Sequence, residues 1–252
     1  LREKHEAILI ATGVYKAREI KLPGVGLDGV VRALDFLTAS NRKSLGDDVA
    51  EFDSGVLNAE NKDVVVIGGG DTAMDCVRTA VRQNAKSVTC LYRRDKANMP
   101  GSQREVQNAE EEGVNFQWLS APHALLGDRS VRSVRARRIH LGQPDETGRQ
   151  VPQIIENSDF DVDADLVIKA LGFDPEDVPA MFGQPELGVS KWGTVKIDWK
   201  TMMTSASGVF AAGDIVRGAS LVVWGIRDGR DAAEQIDKYI QAEQRGEIRA
   251  AE

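Results

Sequence analysis

The stretch VVVIGGGDTAMD, residues 64–75, constrains this chain more than any other. Val64, Val65, Val66 and Ile67 form an apolar run that reads as a strand. Gly68, Gly69 and Gly70 follow it. Asp71, Thr72 and Ala73 then open DTAMDCVRTAVRQN, an amphipathic helix with Ala73, Val77 and Ala80 on one side. Gly68, Gly70 and Ala73 stand in the spacing G-x-G-x-x-A. In that spacing the first glycine permits a tight strand-to-helix turn, and the second lets backbone come close to a pyrophosphate. The alanine keeps the helix against the strand, so its N-terminal N–H groups and dipole face the phosphates. A glycine-rich turn that holds nothing is the alternative. Gly24, Gly26 and Gly29 match G-x-G-x-x-G literally, but EIKLP precedes them, with Pro23 immediately before the first glycine. No apolar strand leads in, so a connecting turn is the better reading there.

The next strand, SVTCLYRR (87–94), completes a βαβ unit, and its end selects the nucleotide. An NAD site places Asp or Glu there to accept from the ribose 2′-OH. This chain has Tyr92-Arg93-Arg94. Two guanidiniums suit a 2′-phosphate through charge-assisted, fork-like contacts, and one can stack on the adenine, whereas a carboxylate would repel the phosphate. A solvated basic strand end competes with this reading, and Asp95 follows directly. NADP(H) is the nucleotide expected.

The rest of the chain gives an α/β pattern. Expected elements are a short strand in EAILIATG (6–13), a turn over 21–29, helical spacing over 30–40, a loop-like connection over 41–61, and a helix opened by a Ser102/Glu105 capping box and stopped before Gly113. VNFQWLS is read as a strand. SVRARRIHL and VPQIIENS, with GQPDETGRQ between them, form a hairpin, and DLVIKALGF, GTVKID and GVFAAGD are further strands. A long helix runs from about Leu221 to Gln244. Strands alternating with helices predict a parallel sheet interrupted by an antiparallel hairpin.

GVFAAGD (208–214) ends in Gly213-Asp214, and a helix begins near Ser220-Leu221-Val222. Two-dinucleotide flavoproteins place an aspartate in this way to accept hydrogen bonds from the ribityl chain of FAD, with the following helix N-terminus aimed at the flavin ring. Ala11-Thr12-Gly13 has the form of the chain leaving an FAD domain, and Ala170-Leu171-Gly172 resembles the return crossing.

In order, ATG, VVVIGGGDTAMD, LYRRDKANMPGSQREV, ALGF and GVFAAGDIVRGASLVVWGIRDGR resemble the family of the small (β) subunit of bacterial NADPH-dependent glutamate synthase. Its wider relatives include the reductase half of dihydropyrimidine dehydrogenase and adrenodoxin reductase. The resemblance runs through essentially the whole chain. It implies a Rossmann-like NAD(P)-binding domain, residues 25–189, inserted in a partial FAD-binding domain of the two-dinucleotide flavoprotein type, residues 1–24 and 190–252. It implies that NADPH reduces FAD, with electrons passing on to an iron–sulfur/FMN partner in which glutamate is made. By matching motif, Gly68, Gly69, Gly70, Asp71, Thr72, Ala73, Arg93 and Arg94 would hold NADPH. Gly172, Gly213, Asp214, Ser220, Leu221 and Val222 would hold FAD. The family's cysteine-rich cluster domain and first glycine motif precede the point where this chain begins. Leu1 is accordingly read as lying partway through a domain, and iron–sulfur clusters are expected only in that preceding region. Another NAD(P)H:ferredoxin-type oxidoreductase, or a nucleotide-binding fragment without activity of its own, are the alternatives.

Composition agrees. Across 252 residues, 42% hydrophobic and 28% charged content is ordinary for a globular protein, and a net charge of −7 argues against nucleic acid or an anionic membrane as partner. No apolar run reaches the ~20 residues of a membrane helix, and no secretory signal opens the chain. Cys76 and Cys90 make no disulfide framework and no Cys-x-x-Cys pair, so both read as small buried hydrophobes in a reduced, cytoplasmic setting. His5, His123 and His140 have no metal spacing. Arg132, Arg135, Arg137 and Arg138 read as a solvated strand face before a docking patch for an acidic partner or the cofactor phosphate, and Trp224 as packed either in the core or near the flavin. No side chain stands out as acid, base or nucleophile. Hydride transfer needs none, because its chemistry is positioning and electrostatics.

Overall fold

The computed structural model describes residues 4–144 and 150–247. In chain order the elements are β1 (Ile8–Ile10), β2 (Lys16–Ala17), β3 (Val30–Arg32), α1 (Ala33–Ser44), α2 (Ala50–Asp53), β4 (Asp63–Ile67), α3 (Asp71–Arg82) and β5 (Ser87–Leu91). There follow α4 (Gln103–Glu111), β6 (Asn115–Gln117), β7 (Ser120–Gly127), β8 (Val131–Pro144), β9 (Gln150–Asp163) and β10 (Leu166–Lys169). The chain closes with β11 (Phe173–Asp174), α5 (Val178–Phe182), β12 (Val209–Ala211), α6 (Asp214–Arg217) and α7 (Val222–Gln244). Two compact units result: Glu19–Gly172 is one, and the segments up to Arg18 and from Phe173 onward form the other. The division falls at 18/19 and 172/173 rather than at the 24/25 and 189/190 expected from sequence. The reason is pairing, since Phe173 and Asp174 lie antiparallel to Ala17 and Lys16 and tie both chain crossings into one two-stranded ribbon.

The Glu19–Gly172 unit is built on a parallel sheet of order β3-β10-β4-β5-β6. Strand β4 explains its layers. Val64 and Val66 join a helix-side cluster with Phe36, Ala73, Cys76, Val77, Val106 and Ile168. Val65 and Ile67 face the other way, with Leu125, Val134, Ala136 and Val167. A strand buried on both faces must read as a continuous apolar run, and each Val and Ile of β4 contributes roughly 1.5–3 kcal/mol through burial. The second face is covered by the antiparallel sheet β7-β8-β9.

Several expected elements change. Val30–Arg32 is a strand paired with β10, and the helix begins at Ala33, burying Ala33, Phe36 and Ala39. The apolar spacing continued across the boundary and hid it. The connection over 41–61 contains the end of α1 and all of α2. Ser102 stands at the N-cap of α4 but makes no side-chain cap bond, and the reciprocal half of the box is also missing, since Glu105 pairs with Arg78 on α3 and the Ser102 amide donates to Asp71. GTVKID forms no strand beyond a single bridge between Val189 and Val195. Strand β5 stops at Leu91, three residues short of Arg94, and β7 lies where only a strand end was foreseen. The tip of the β8–β9 hairpin, 145–149, lies outside the described residues.

The other unit holds β1 parallel to β12. Val209 and Ala211 join Ile10, Val178, Leu187 and Ile215 on one face. Phe210 and Ala212 meet Met202, Ala232 and Tyr239 on the other, with Phe210 edge-on to Tyr239 at 5.6 Å. No helix among the described residues is long and apolar enough to cross a membrane.

Candidate functional site

The glycine turn sits where the strand order of the parallel sheet reverses. The strands β4, β5 and β6 run outward in chain order on one side, while β10 and β3 lie on the other. Ligands of open α/β sheets bind outside the carboxyl ends of strands at such a switch point. Each glycine there has its own reason. Gly68 has φ 151°, and a Cβ on it would lie 2.1 Å from the carbonyl oxygen of Ala170 at the end of β10. A Cβ on Gly69 would lie 2.4 Å from the ring of Tyr92. One on Gly70 would meet nothing within 4 Å. Gly70 therefore opens on free space at the N-cap of α3, as close backbone approach of a ligand requires. Asp71 and Thr72 begin the helix, and Ala73 is fully buried beneath it.

A second segment clasps this turn. The Gly101 amide donates to the Gly69 carbonyl at 3.0 Å, and the Ser102 amide donates to Asp71 Oδ1 at 2.8 Å. The Asp71 carboxylate is thus held on α4's side of the turn. Tyr92 lays its ring on Gly69 and donates its hydroxyl to the Asn98 carbonyl at 3.1 Å. Helices α3 and α4 are joined by Arg78, which binds Glu112 at 2.7 Å and also pairs with Glu105. Tyr92, Gly101 and Ser102 were not legible in these roles from the sequence, although LYRRDKANMPGSQREV is one of the stretches that carry the resemblance.

Beyond β5 the two arginines divide. Arg93 is exposed, with no side-chain partner among the described residues. Arg94 is only 6% exposed, and its Nε is buried without a hydrogen-bond acceptor among the described residues. Asp95, the acid that could have neutralised them, accepts instead from the Asn98 amide and Asn98 Nδ2 at 2.9 and 2.8 Å. Cys76 and Cys90 are fully buried; burial pushes both thiols up, Cys90 to about 12, and Cys90 Sγ contacts the Gly68 carbonyl at 3.4 Å. On the hairpin, Arg135 pairs with Asp161 at 2.8 Å and Arg137 with Asp159 at 3.0 Å. Arg138 lies over Phe160 at 4.1 Å.

In the other unit Gly213 takes φ 77°, ψ −150°, a conformation open to glycine and strained for other residues. Asp214 begins α6, and its carboxylate has no partner among the described residues. Ser220 and Leu221 lead into α7, whose start carries no side-chain cap, and Leu221 and Val222 are exposed, the latter by 75%. Gly172, with φ 86°, is the last residue of the Glu19–Gly172 unit. Trp224 is neither in the core nor free, lying over Arg217 at 5.1 Å. Arg217 binds Asp228 through two contacts, of 2.5 and 2.7 Å. Asp228 escaped the sequence reasoning, although a carboxylate in the same helical row as Ala232, Ile236 and Tyr239 was a visible signal.

A parallel sheet with a glycine turn at its switch point, plus a Gly-Asp turn feeding a helix in a second unit, defines a class. The chain belongs to the pyridine nucleotide-disulphide oxidoreductase family, which matches residues 2–246. More particularly, it is 65% identical to the small chain of NADPH glutamate synthase from Azospirillum brasilense, over 100% of this chain and 52% of that one. It is 44% identical to the corresponding small chain from Halomonas elongata, over 95% of this chain and 51% of that one. FprA of Mycobacterium tuberculosis, solved in complex with NADPH, shares the fold at a TM-score of 0.74 and 18% identity, covering 99% of this chain and 67% of its own. The chain spans about half the length of the curated relatives it matches.

Proposed function

We propose that this chain is an NADPH-oxidising flavoprotein reductase module of the glutamate synthase type. Its Glu19–Gly172 unit takes the nucleotide. Gly68, Gly69 and Gly70 form the turn, the N-terminus of α3 at Asp71, Thr72 and Ala73 faces the pyrophosphate, and Arg93 and Arg94 meet the 2′-phosphate. The observation that carries the reading is the charge at the end of β5. Among the described residues an exposed, unpaired Arg93 stands beside a buried Arg94 with an orphaned Nε, and the nearby carboxylate is engaged elsewhere. A site left so is short of an anion.

The other unit contributes to FAD. Its residues fit that group: Gly213 leaves open space where a side chain would stand, Asp214 has a free carboxylate for ligand hydroxyls, and Ser220, Leu221 and Val222 form an exposed, uncapped helix start. Gly172 marks the crossing between segments. With both groups bound, these residues would hold a nicotinamide that would supply a hydride and a flavin that would accept it. The chain's own residues hold, orient and shield; none is needed as acid or base. The electron acceptor is the larger glutamate synthase subunit or another electron-accepting protein, and the setting is cytoplasmic; 65% identity to a glutamate synthase small chain supports the first.

Equilibrium titration of the full chain with NADPH and NADH tests the nucleotide assignment. Replacing Arg93 and Arg94 together by Ala is expected to weaken NADPH by about 10- to 100-fold, the worth of charge-assisted hydrogen bonds, and to leave NADH within about twofold. Equal losses for both nucleotides would overturn the assignment.

A further inference from the structure

Asp228 lies in the second turn of α7 and is 1% exposed, in the row that also buries Ala232 and Tyr239. A carboxylate in such a row is costly unless charge and hydrogen bonds meet it. They do, and all come from one short turn. Arg217 Nε lies 2.5 Å from Asp228 Oδ2 and Nη2 lies 2.7 Å from Oδ1, a forked contact. The Gly213 amide donates to the same carboxylate. The guanidinium is flanked by Trp199 at 4.7 Å and Trp224 at 5.1 Å, which restrict it further. One carboxylate therefore holds both ends of the Gly213–Arg217 turn. The turn is closed internally as well, with the Arg217 amide donating to the Gly213 carbonyl at 3.1 Å. Asp214, between the two anchored ends, is left with a carboxylate that meets no partner among the described residues.

We propose that Asp228 is a positioning residue. It fixes the Gly213–Asp214 turn against α7, so that the free carboxylate of Asp214 and the uncapped start of α7 are presented together to a flavin. This rests on the reading that Gly213 and Asp214 hold FAD. The two acids divide the labour: Asp228 is spent inward on Gly213 and Arg217, while Asp214 stays available to ligand. Trp199 and Trp224 keep the Arg217 guanidinium from swinging to Asp214.

The test is FAD binding by the full chain, followed by flavin fluorescence, with melting and NADPH affinity measured in parallel. In Arg217→Met/Asp228→Leu, side chains of similar volume replace a pair of which Asp228 is buried and Arg217 partly exposed, so that no unpaired charge is left inside. The melting midpoint is expected within a few degrees of the unmodified chain and NADPH affinity within about twofold, while FAD affinity falls about tenfold or more, the worth of a charged hydrogen bond. Asp228→Asn keeps the volume and an acceptor for the Gly213 amide; it is the variant to use if the double change does not fold, and about threefold to tenfold weaker FAD is expected. Unchanged FAD affinity overturns the proposal. So does a loss of FAD matched by an equal loss of NADPH and an early melt, which would mark a general structural role. An unmodified chain that binds NADPH but takes up no FAD identifies failure of the reading that this chain by itself holds FAD, and the proposal falls with it.

Discussion

The Cβ that any other residue would place at Gly68 falls 2.1 Å from the carbonyl oxygen of Ala170. Two parallel strands, β4 and β10, end side by side there, and the chain leaves β4 with φ 151°. Both the contact and the dihedral exclude a side chain, and backbone cannot yield as a flexible side chain can. Gly68→Ala is therefore predicted to cost about 3 kcal/mol or more in unfolding free energy, from overpacking and backbone strain together. Denaturant unfolding of the ligand-free chain checks this.

Gly70 gives the opposite result from the same motif. It has φ −89° and ψ 178°, which alanine adopts readily, and its missing Cβ would meet nothing within 4 Å. Gly70→Ala is expected to melt within a few degrees of the unmodified chain but to bind NADPH about tenfold or more weakly, because the added methyl occupies the space the pyrophosphate needs. Melting curves and nucleotide titrations on one preparation separate the two glycines.

Arg94 carries a prediction that runs against intuition. Its guanidinium is buried with Nε unsatisfied among the described residues, a state that costs stability until an anion arrives. Arg94→Met keeps the apolar stem and removes the charge. The ligand-free chain is expected to gain about 1–3 kcal/mol, the desolvation penalty of an unpaired polar group, while saturating NADPH stabilises the variant less than it stabilises the unmodified chain. Thermal melts with and without NADPH measure both.

The two cysteines predict a pH dependence of stability. Burial raises both thiols, Cys90 to about 12, above their ordinary value of 9.0. In the unfolded chain the thiols lose their protons as pH rises past about 9, whereas the folded chain retains them, so the unfolded state binds fewer protons and stability falls with pH. The Cys90 contribution is full below the unfolded value and is lost through the window from about 9 to about 12, at about 1.4 kcal/mol per pH unit, and Cys76 acts in the same direction. Cys76→Ala/Cys90→Ala flattens that slope. The folded chain at pH 8 is also expected to resist a thiol reagent that labels both cysteines after unfolding.

The legible parts of this chain were those where local chemistry and tertiary role coincide. Val64–Ile67, the glycine turn and α3 could be read directly, because a doubly covered strand has no polar alternation and a pyrophosphate turn requires glycine. Val30–Arg32 was hidden because its apolar residues continue the spacing of α1. The capping box at Ser102 is missing: Glu105 pairs with Arg78, which lies 27 positions earlier in the chain, and the Ser102 amide donates to Asp71. Tyr92 over Gly69, the Gly101 clasp and the Arg217–Asp228 pair are long-range relationships between ordinary residues. Only Asp228, a charge in an apolar helical row, left a trace that periodicity could expose. The division between an exposed Arg93 and a buried Arg94 was likewise invisible, since adjacent residues of one type differ only by the direction the backbone gives them.

The most direct test of the central claim is the visible spectrum of the full chain supplied with FAD, before and after NADPH is added without oxygen. Flavin bands are expected to bleach on NADPH and to bleach far more slowly on an equal concentration of NADH. Bands that stay oxidised under saturating NADPH, or that bleach equally with either nucleotide, would contradict that claim.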